Sequence, residues 1–136
     1  MSGTQNLIYS AIQVAHNLGA VAVVSGSLSG VFIKHPVTRK KLAWLALAGW
    51  GTQAASGATF GAVTYLFSHH LPDIGNIATG ALMLKMMCVA AGFILLAAYL
   101  RWGATWSEEK TNGIWIASST LAISALSAAA VLRWFS

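Results

Sequence analysis

Residues 74–100 read IGNIATGALMLKMMCVAAGFILLAAYL, an apolar run of 27 residues with one charged side chain, Lys85. An α-helix rises about 1.5 Å per residue, so this run exceeds the roughly 30 Å hydrocarbon core of a bilayer. The stretch is therefore predicted to be a membrane-spanning helix. Three more apolar stretches of comparable length lie at residues 7–33, 42–68 and 113–135. The sequence predicts an all-α membrane protein with four transmembrane helices, in a single domain over residues 1–136.

The composition excludes several other classes of protein. Hydrophobic residues make up 57% of the chain and charged residues 8%, whereas an ordinary soluble domain has about 25% charged residues. Such a chain is neither a soluble globular domain nor a disordered one. The single cysteine, Cys88, excludes an intrachain disulfide and a cysteine-based metal site. The excess of basic residues is interpreted as a topology signal beside membrane spans rather than as a nucleic-acid surface.

The connections between the four spans are short, which predicts an antiparallel up-down bundle. Six of the eight Lys and Arg residues lie in the first and third connections, and only Arg133 lies on the other side. By the positive-inside rule these two connections are predicted to be cytoplasmic, with both termini outside. Four tryptophans, Trp44, Trp102, Trp106 and Trp115, are predicted to form an aromatic belt at the cytoplasmic boundary.

Two glycine pairs match the small-xxx-small pattern of close helix contacts. They lie in the segments GSLSG at 26–30 and GATFG at 57–61. Glycine lets two helix backbones approach closely in a membrane. Tight helix packing is the favoured interpretation for both pairs, and clearance for a cofactor is the alternative.

Counting along the spans places polar residues of different helices at one depth. His16, Gln53 and Lys85 each lie about ten residues from the start of their span, and Ser124 occupies a similar depth in the fourth. Helical periodicity puts small or polar residues on the same face as each of them. These faces are predicted to point into the bundle, so the polar side chains form a layer near mid-membrane.

Lys85 is the most costly member of this layer, because a lysine at the bilayer centre costs roughly 2.5–3.5 kcal/mol on insertion scales. No Asp or Glu lies within any span, so an ion pair with an acidic residue is not available to it. We therefore assign His16, Gln53 and Lys85 as candidate cofactor-binding residues. The alternative is a hydrogen-bonded polar plug that only fixes how the helices pack.

Metal binding is a second interpretation of the polar and sulfur-bearing residues. Haem b could use an imidazole, and the thioethers of a Met cluster suit Cu(I). The candidate metal ligands are His16, His69, His70, Met83 and Met87. For each of them an ordinary structural role is also open: a histidine in the protein core, a histidine in a solvated loop, or a methionine that fills apolar space. No catalytic motif is present, and the chain is not predicted to be an enzyme.

Two segments carry a resemblance to a known family. The run His16-Asn17-Leu18-Gly19-Ala20 to Gly26 resembles the opening helix of the copper-resistance D (CopD) family of bacterial membrane proteins. Thr79-Gly80-Ala81-Leu82-Met83-Leu84-Lys85 is similar to the Gly-x-Leu-Leu-x-Lys helix of that family. The resemblance implies a four-helix core in the cytoplasmic membrane of a bacterium, copper handling or membrane electron transfer, and functional roles for His16 and Lys85.

Two functions therefore remain open. The first is a small membrane protein with a midplane site, acting in copper handling or electron transfer with copper or haem b as candidate cofactors. The second is a non-catalytic accessory subunit of a larger membrane complex. In either case the expected partners are the lipid bilayer and protein subunits or further copies of the chain, and no nucleic acid.

Overall fold

The computed structural model describes residues 2–136 and contains four long α-helices, with no β-strand among those residues. The helices are α1 (Gly3–Phe32), α2 (Pro36–Ser68), α3 (Asn76–Trp102) and α4 (Glu108–Phe135). One 3-10 turn, Gly103–Thr105, lies between α3 and α4. The predicted all-helical fold is confirmed.

Local sequence signals set the helix ends. The Ser2 hydroxyl accepts a hydrogen bond from the backbone N–H of Gln5, whose side chain accepts one from the Ser2 backbone N–H, completing a capping box at the start of α1. Pro36 lies in the first turn of α2, where its missing N–H has no cost. His69 ends α2 in the left-handed conformation, with φ at 60°. At the start of α4, the Ser107 hydroxyl accepts from a backbone N–H of the first turn.

The first two helices form an antiparallel hairpin across the connection at residues 33–35. Near one end of the pair, the Tyr9 hydroxyl donates to Thr64 Oγ1 at 3.1 Å. Halfway along, Gly19 faces Gly49 so closely that a Cβ atom on Gly49 would lie 2.8 Å from the Gly19 carbonyl oxygen. Residues later in α1 thus contact residues earlier in α2, as an antiparallel pair requires. At mid-length the two helix backbones are in direct contact.

The other helices complete a closed ring of contacts. α2 also packs against α3, α3 packs against α4, and α4 returns to α1. One contact from each of these three seams is Trp50 with Gly92, Tyr99 with Trp115, and Ser27 with Ser118.

Small residues and two tryptophans fill the interior. Trp50 and Trp115 are fully buried, and the residues around them are mostly alanines such as Ala43, Ala46 and Ala122. The predicted inward face of α3 is confirmed, because Ala78, Ala81, Cys88 and Gly92 are all buried. Large apolar side chains lie mainly on the outside of the protein, as Leu18, Met87 and Ile94 do.

Three of the four helices are long and apolar enough to cross a membrane by length and composition. They are α1, the segment Asn76–Thr105 that includes α3, and α4. These helices and their outward apolar side chains are consistent with contact to a lipid bilayer. α2 is the longest helix but is not among the three, since glycines, hydroxyl residues and Gln53 lower the hydropathy of its apolar part.

Three helices begin earlier than the apolar stretches that predicted them, and the first of these is α1, which starts at Gly3 rather than near residue 7. α2 starts at Pro36 rather than near residue 42, and α4 starts at Glu108 rather than near 113. Apolar runs mark the part of a helix that suits lipid, whereas the helix itself continues through polar residues until its capping signal.

The interpretation of Trp115 as an interfacial residue is wrong. Its side chain is fully buried, and its ring stacks edge-on against Tyr99 with centroids 5.4 Å apart. Trp44 and Trp102, by contrast, are exposed as a belt requires. A small residue opposite makes room for Trp115, because a Cβ on Gly30 would overlap its ring.

The two small-xxx-small segments behave differently. Gly26 packs against Ala46, and Gly30 lies against Trp115, so the first pair is a contact between helices as predicted. Gly57 and Gly61 have no atom within 4 Å of where a Cβ would stand. The prediction of tight packing is therefore correct for the pair in α1 and wrong for the pair in α2.

This difference generates a matched test. We expect Gly30→Ala to destabilise the protein by about 1–3 kcal/mol, because the added methyl group must displace a fully buried indole. We expect Gly57→Ala to be neutral or stabilising by up to about 1 kcal/mol, since alanine favours helix and meets nothing there. Thermal unfolding in detergent measures both variants. Equal loss of stability in the two would contradict the packing described for Gly30.

Candidate functional site

Three helices meet at the His16 side chain. From α2, Ser56 Oγ lies 2.7 Å from His16 Nδ1, and from α3, Lys85 Nζ lies 2.8 Å from His16 Nε2. The buried Gln53 of α2 donates its Nε2–H to the backbone carbonyl of His16 at 2.5 Å. The predicted convergence of His16, Gln53 and Lys85 in one layer is confirmed by these bonds.

The hydrogen bonds define the direction of proton donation through the cluster. Ser56 has a single hydroxyl proton, and it donates this to the Thr52 carbonyl oxygen at 2.5 Å. This donation leaves Ser56 Oγ to accept from His16, and it favours the tautomer with a proton on Nδ1. A neutral imidazole of this tautomer presents a lone pair at Nε2, to which Lys85 Nζ is placed to donate. A directed chain runs from Lys85 through His16 and Ser56 to Thr52.

The same geometry limits the charge of the His16–Lys85 pair. A hydrogen bond between the two nitrogens needs a proton on one and a lone pair on the other. The pair therefore carries at most one positive charge. The only acidic residues of the chain are Asp73, between α2 and α3, and Glu108 and Glu109 in the first turn of α4. None belongs to this layer, so the charge has no carboxylate beside it.

A cavity of about 740 Å³ adjoins the pair, and both His16 and Lys85 line it. Most of its wall is apolar, with Trp50 and Phe60 from α2 and a series of alanines and leucines from α4. Exposed polar residues at one end, including Arg133, also line it, so the cavity reaches the surface there.

Lys85 has donors to spare on the wall of this cavity. An ammonium group carries three N–H donors, and the sole partner of Lys85 within residues 2–136 is His16. The side chain is half-buried, so these donors lie in a restricted space rather than in bulk solvent. The arrangement is suited to hold an oxygen atom that accepts hydrogen bonds or carries negative charge.

The remaining candidate ligands do not join this cluster. His69 and His70 lie in the turn after α2, and neither lines the cavity. Met83 and Met87 are more than half exposed on the outer face of α3. Ser124 at mid-depth of α4 also lies off the cavity wall.

The residues present do not fit a copper ion or a haem iron at His16. Across the described part of the chain, no group of three or more His, Cys, Asp or Glu side chains is placed to hold a metal. A metal ion at His16 Nε2 would need the lone pair that the hydrogen bond with Lys85 uses. His16 Nε2 and Lys85 Nζ are 2.8 Å apart and already bonded to each other.

Ser56 and Thr52 belong to the cluster but were not predicted from the sequence. Ser56 lies three residues after Gln53, so both point from the same face of α2. That spacing was the available signal, but serines are frequent in this chain, and only the structure shows which one faces an imidazole.

No protein-family model, no curated protein and no solved structure matches this chain.

The directed chain of bonds predicts an effect of removing the Ser56 hydroxyl. We expect Ser56→Ala to destabilise the protein by about 1–3 kcal/mol, because His16 Nδ1–H then loses its acceptor in a partly buried site. Ser25→Ala is the matched control, since the Ser25 hydroxyl is exposed and bonds only to its own helix at Val21. Nitrogen-15 NMR of His16 should show the proton on Nδ1 in the unaltered protein. A proton found on Nε2 instead would contradict donation from His16 to Ser56.

Proposed function

We propose that this chain is a small integral membrane protein that binds a lipid-soluble organic carrier at His16 and Lys85, and that it acts in membrane electron transfer. The observation that carries the proposal is the set of free N–H donors of Lys85 on the wall of a largely apolar cavity. A quinone-type molecule matches this wall, because it combines carbonyl acceptors with an apolar body.

The proposed architecture is an antiparallel up-down bundle in which all four helices cross the bilayer. α2 is less apolar than its neighbours, but its polar Gln53 and Ser56 are buried and bonded inside the protein. Six of the eight Lys and Arg residues belong to the first and third connections or to the helix ends beside them. By the positive-inside rule, we place that end in the cytoplasm and both termini outside. The membrane is the cytoplasmic membrane of a bacterium, as the copper-resistance D resemblance implies.

The electrostatics of the site support a carrier that gains electrons. A carbonyl compound that is reduced gains negative charge on its oxygens. A fixed positive charge in a water-poor cavity stabilises such charge far better than it would in water. His16 and Lys85 hold that positive charge without a competing carboxylate. Gln53 and Ser56 fix the position of the imidazole, so the donors are in place before the ligand arrives.

Copper handling is the other activity that the resemblance implies. It has weaker support, because the sulfur ligands Met83 and Met87 are exposed away from His16. A copper role would need ligands from a partner chain.

An accessory subunit is the alternative function, and one observation favours it. Ser56, Gln53 and Lys85 all bond to His16, so the cluster links three helices without any ligand. A structural role, in which the network fixes how the helices pack and binds no ligand, is sufficient to account for these bonds. The exposed apolar faces of the helices would then bind other subunits or a second copy of the chain.

Lys85→Met separates the two functions. We expect this variant to weaken binding of a decyl-substituted benzoquinone about 10- to 150-fold, which is the equivalent of about 1.5–3 kcal/mol for a hydrogen bond to a charged group. We expect its thermal stability to be unchanged or higher, because an apolar side chain of similar volume replaces a buried charge. Isothermal titration calorimetry in neutral detergent measures the binding.

Lys41→Met is the control, since Lys41 is exposed and does not line the cavity. Its quinone affinity should equal that of the unaltered protein. Failure of the unaltered protein to bind the quinone, with Lys85→Met more stable and equally well assembled, would favour the accessory subunit. Displacement of the quinone by decanoate at equal concentration would instead indicate a site for anionic amphiphiles.

A further inference from the structure

A second cavity, of about 570 Å³, lies at the opposite end of the molecule from Arg133. Its wall combines the connection between α1 and α2, the end of α3 and the start of α4. Three of the lining residues are basic, Lys34, Arg39 and Lys40, and one is acidic, Glu108. At neutral pH the wall thus has an excess of two positive charges.

Arg39 is the residue of this cavity wall that is most firmly held in place. Although it is an arginine, it is only 3% exposed. Its Nε–H donates to the carbonyl oxygens of Gly30 and Ile33, both at 3.0 Å, and one Nη2–H donates to Asn112 Oδ1 at 2.7 Å. The side chain therefore binds carbonyl groups at the C-terminal end of α1, where a helix has unsatisfied acceptors and a negative dipole end.

These bonds leave part of the guanidinium without a partner. Arginine has five N–H donors, and Nη1 has no hydrogen-bond partner within residues 2–136. No carboxylate pairs with Arg39 in that part of the chain, since its only side-chain acceptor is the amide of Asn112. A buried guanidinium held rigidly by three bonds, with a free edge in a basic cavity, is suited to a phosphate group.

The rest of the wall indicates which phosphate. Tyr99, Leu100, Trp106 and Val37 form an apolar and aromatic side to the cavity. Lys110, whose ammonium lies 4.3 Å from the centre of the Trp106 ring, adds positive charge nearby. A free phosphate ion makes no favourable contact with apolar side chains, whereas a phospholipid presents a phosphodiester beside a glycerol-acyl region that can contact them.

We propose that this cavity binds the headgroup of an anionic phospholipid, with the phosphodiester on the free edge of Arg39 and between Lys34 and Lys40. Basic pockets between the ends of membrane helices bind anionic lipid headgroups in this way. The site requires membrane insertion of the helices, but it does not depend on a ligand at His16 and Lys85.

The test uses the full chain in neutral detergent, titrated with phosphatidylglycerol, with phosphatidylcholine of the same acyl chains as reference. Native mass spectrometry counts bound lipid, and we expect phosphatidylglycerol to bind more tightly. Lys40→Gln should weaken its binding about fivefold, the equivalent of about 1 kcal/mol for one lysine near an anionic headgroup. Lys41→Gln removes the same charge one residue away, outside the cavity, and should leave the affinity unchanged.

Glu108→Gln tests the sign of the effect, because removal of the one acidic group on the wall should strengthen phosphatidylglycerol binding. Arg39→Gln should abolish it, but this variant also removes bonds at the end of α1, so the Lys40 and Glu108 variants decide. Equal losses at Lys40 and Lys41, or equal binding of both lipids, would overturn the proposal. Displacement of phosphatidylglycerol by an equal concentration of inorganic phosphate would show a free-phosphate site and overturn the lipid assignment.

Quinone binding is measured on the same Lys40→Gln sample. Unchanged quinone affinity together with weakened lipid binding supports two separate sites. Parallel loss of both would show a general disturbance of the helices and would overturn the lipid site.

Discussion

A lysine in the middle of an apolar helix, with no acidic residue within reach, is the constraint on which this structure depends. The cost of its charge falls only if a nearby atom offers a lone pair, and His16 Nε2 offers one at 2.8 Å. That lone pair exists because Ser56 accepts the other imidazole proton. The cluster in turn requires α1 and α2 to lie close together. Gly19 and Gly49 provide that approach, because neither has a side chain to hold the backbones apart.

Much of the fold could be predicted from the sequence, because long apolar runs identify helices that suit a membrane. The convergence of His16, Gln53 and Lys85 was also accessible, since depth and face follow from counting residues along a helix. The direction of the hydrogen bonds was not accessible. It depends on which serine lies opposite the imidazole, and nothing in the sequence around Ser56 marks it as that serine.

The wrong expectations share a physical reason. A tryptophan near the end of a span suits a membrane interface and a protein core equally well. Trp115 lies in the core because Gly30, which has no side chain, leaves space for its ring. A glycine pair marks a permitted contact, and whether a neighbouring helix uses it depends on the arrangement of all four, as Gly57 shows. The sequence places Arg39 among the six basic residues of the first and third connections, yet its side chain folds back onto the end of α1. In each case the deciding partner lies on another helix or beyond a turn.

The large cavity has a mechanical consequence for α4. Near its start this helix is anchored by Trp115 and by the buried bond between Ser27 and Ser118. From Ala122 onward its inner face borders the cavity with small side chains, so it forfeits dispersion contacts that a filled interior would provide. α1 and α2 also line this cavity, but their backbones contact each other directly at Gly19 and Gly49. The buried Ala122, Ala125 and Ala128 still hold the middle of α4 to the interior. We therefore expect the compliance to be confined to the last two turns of α4, beyond Ala128, and a bulky ligand to reach the cavity from the side when these turns move outward.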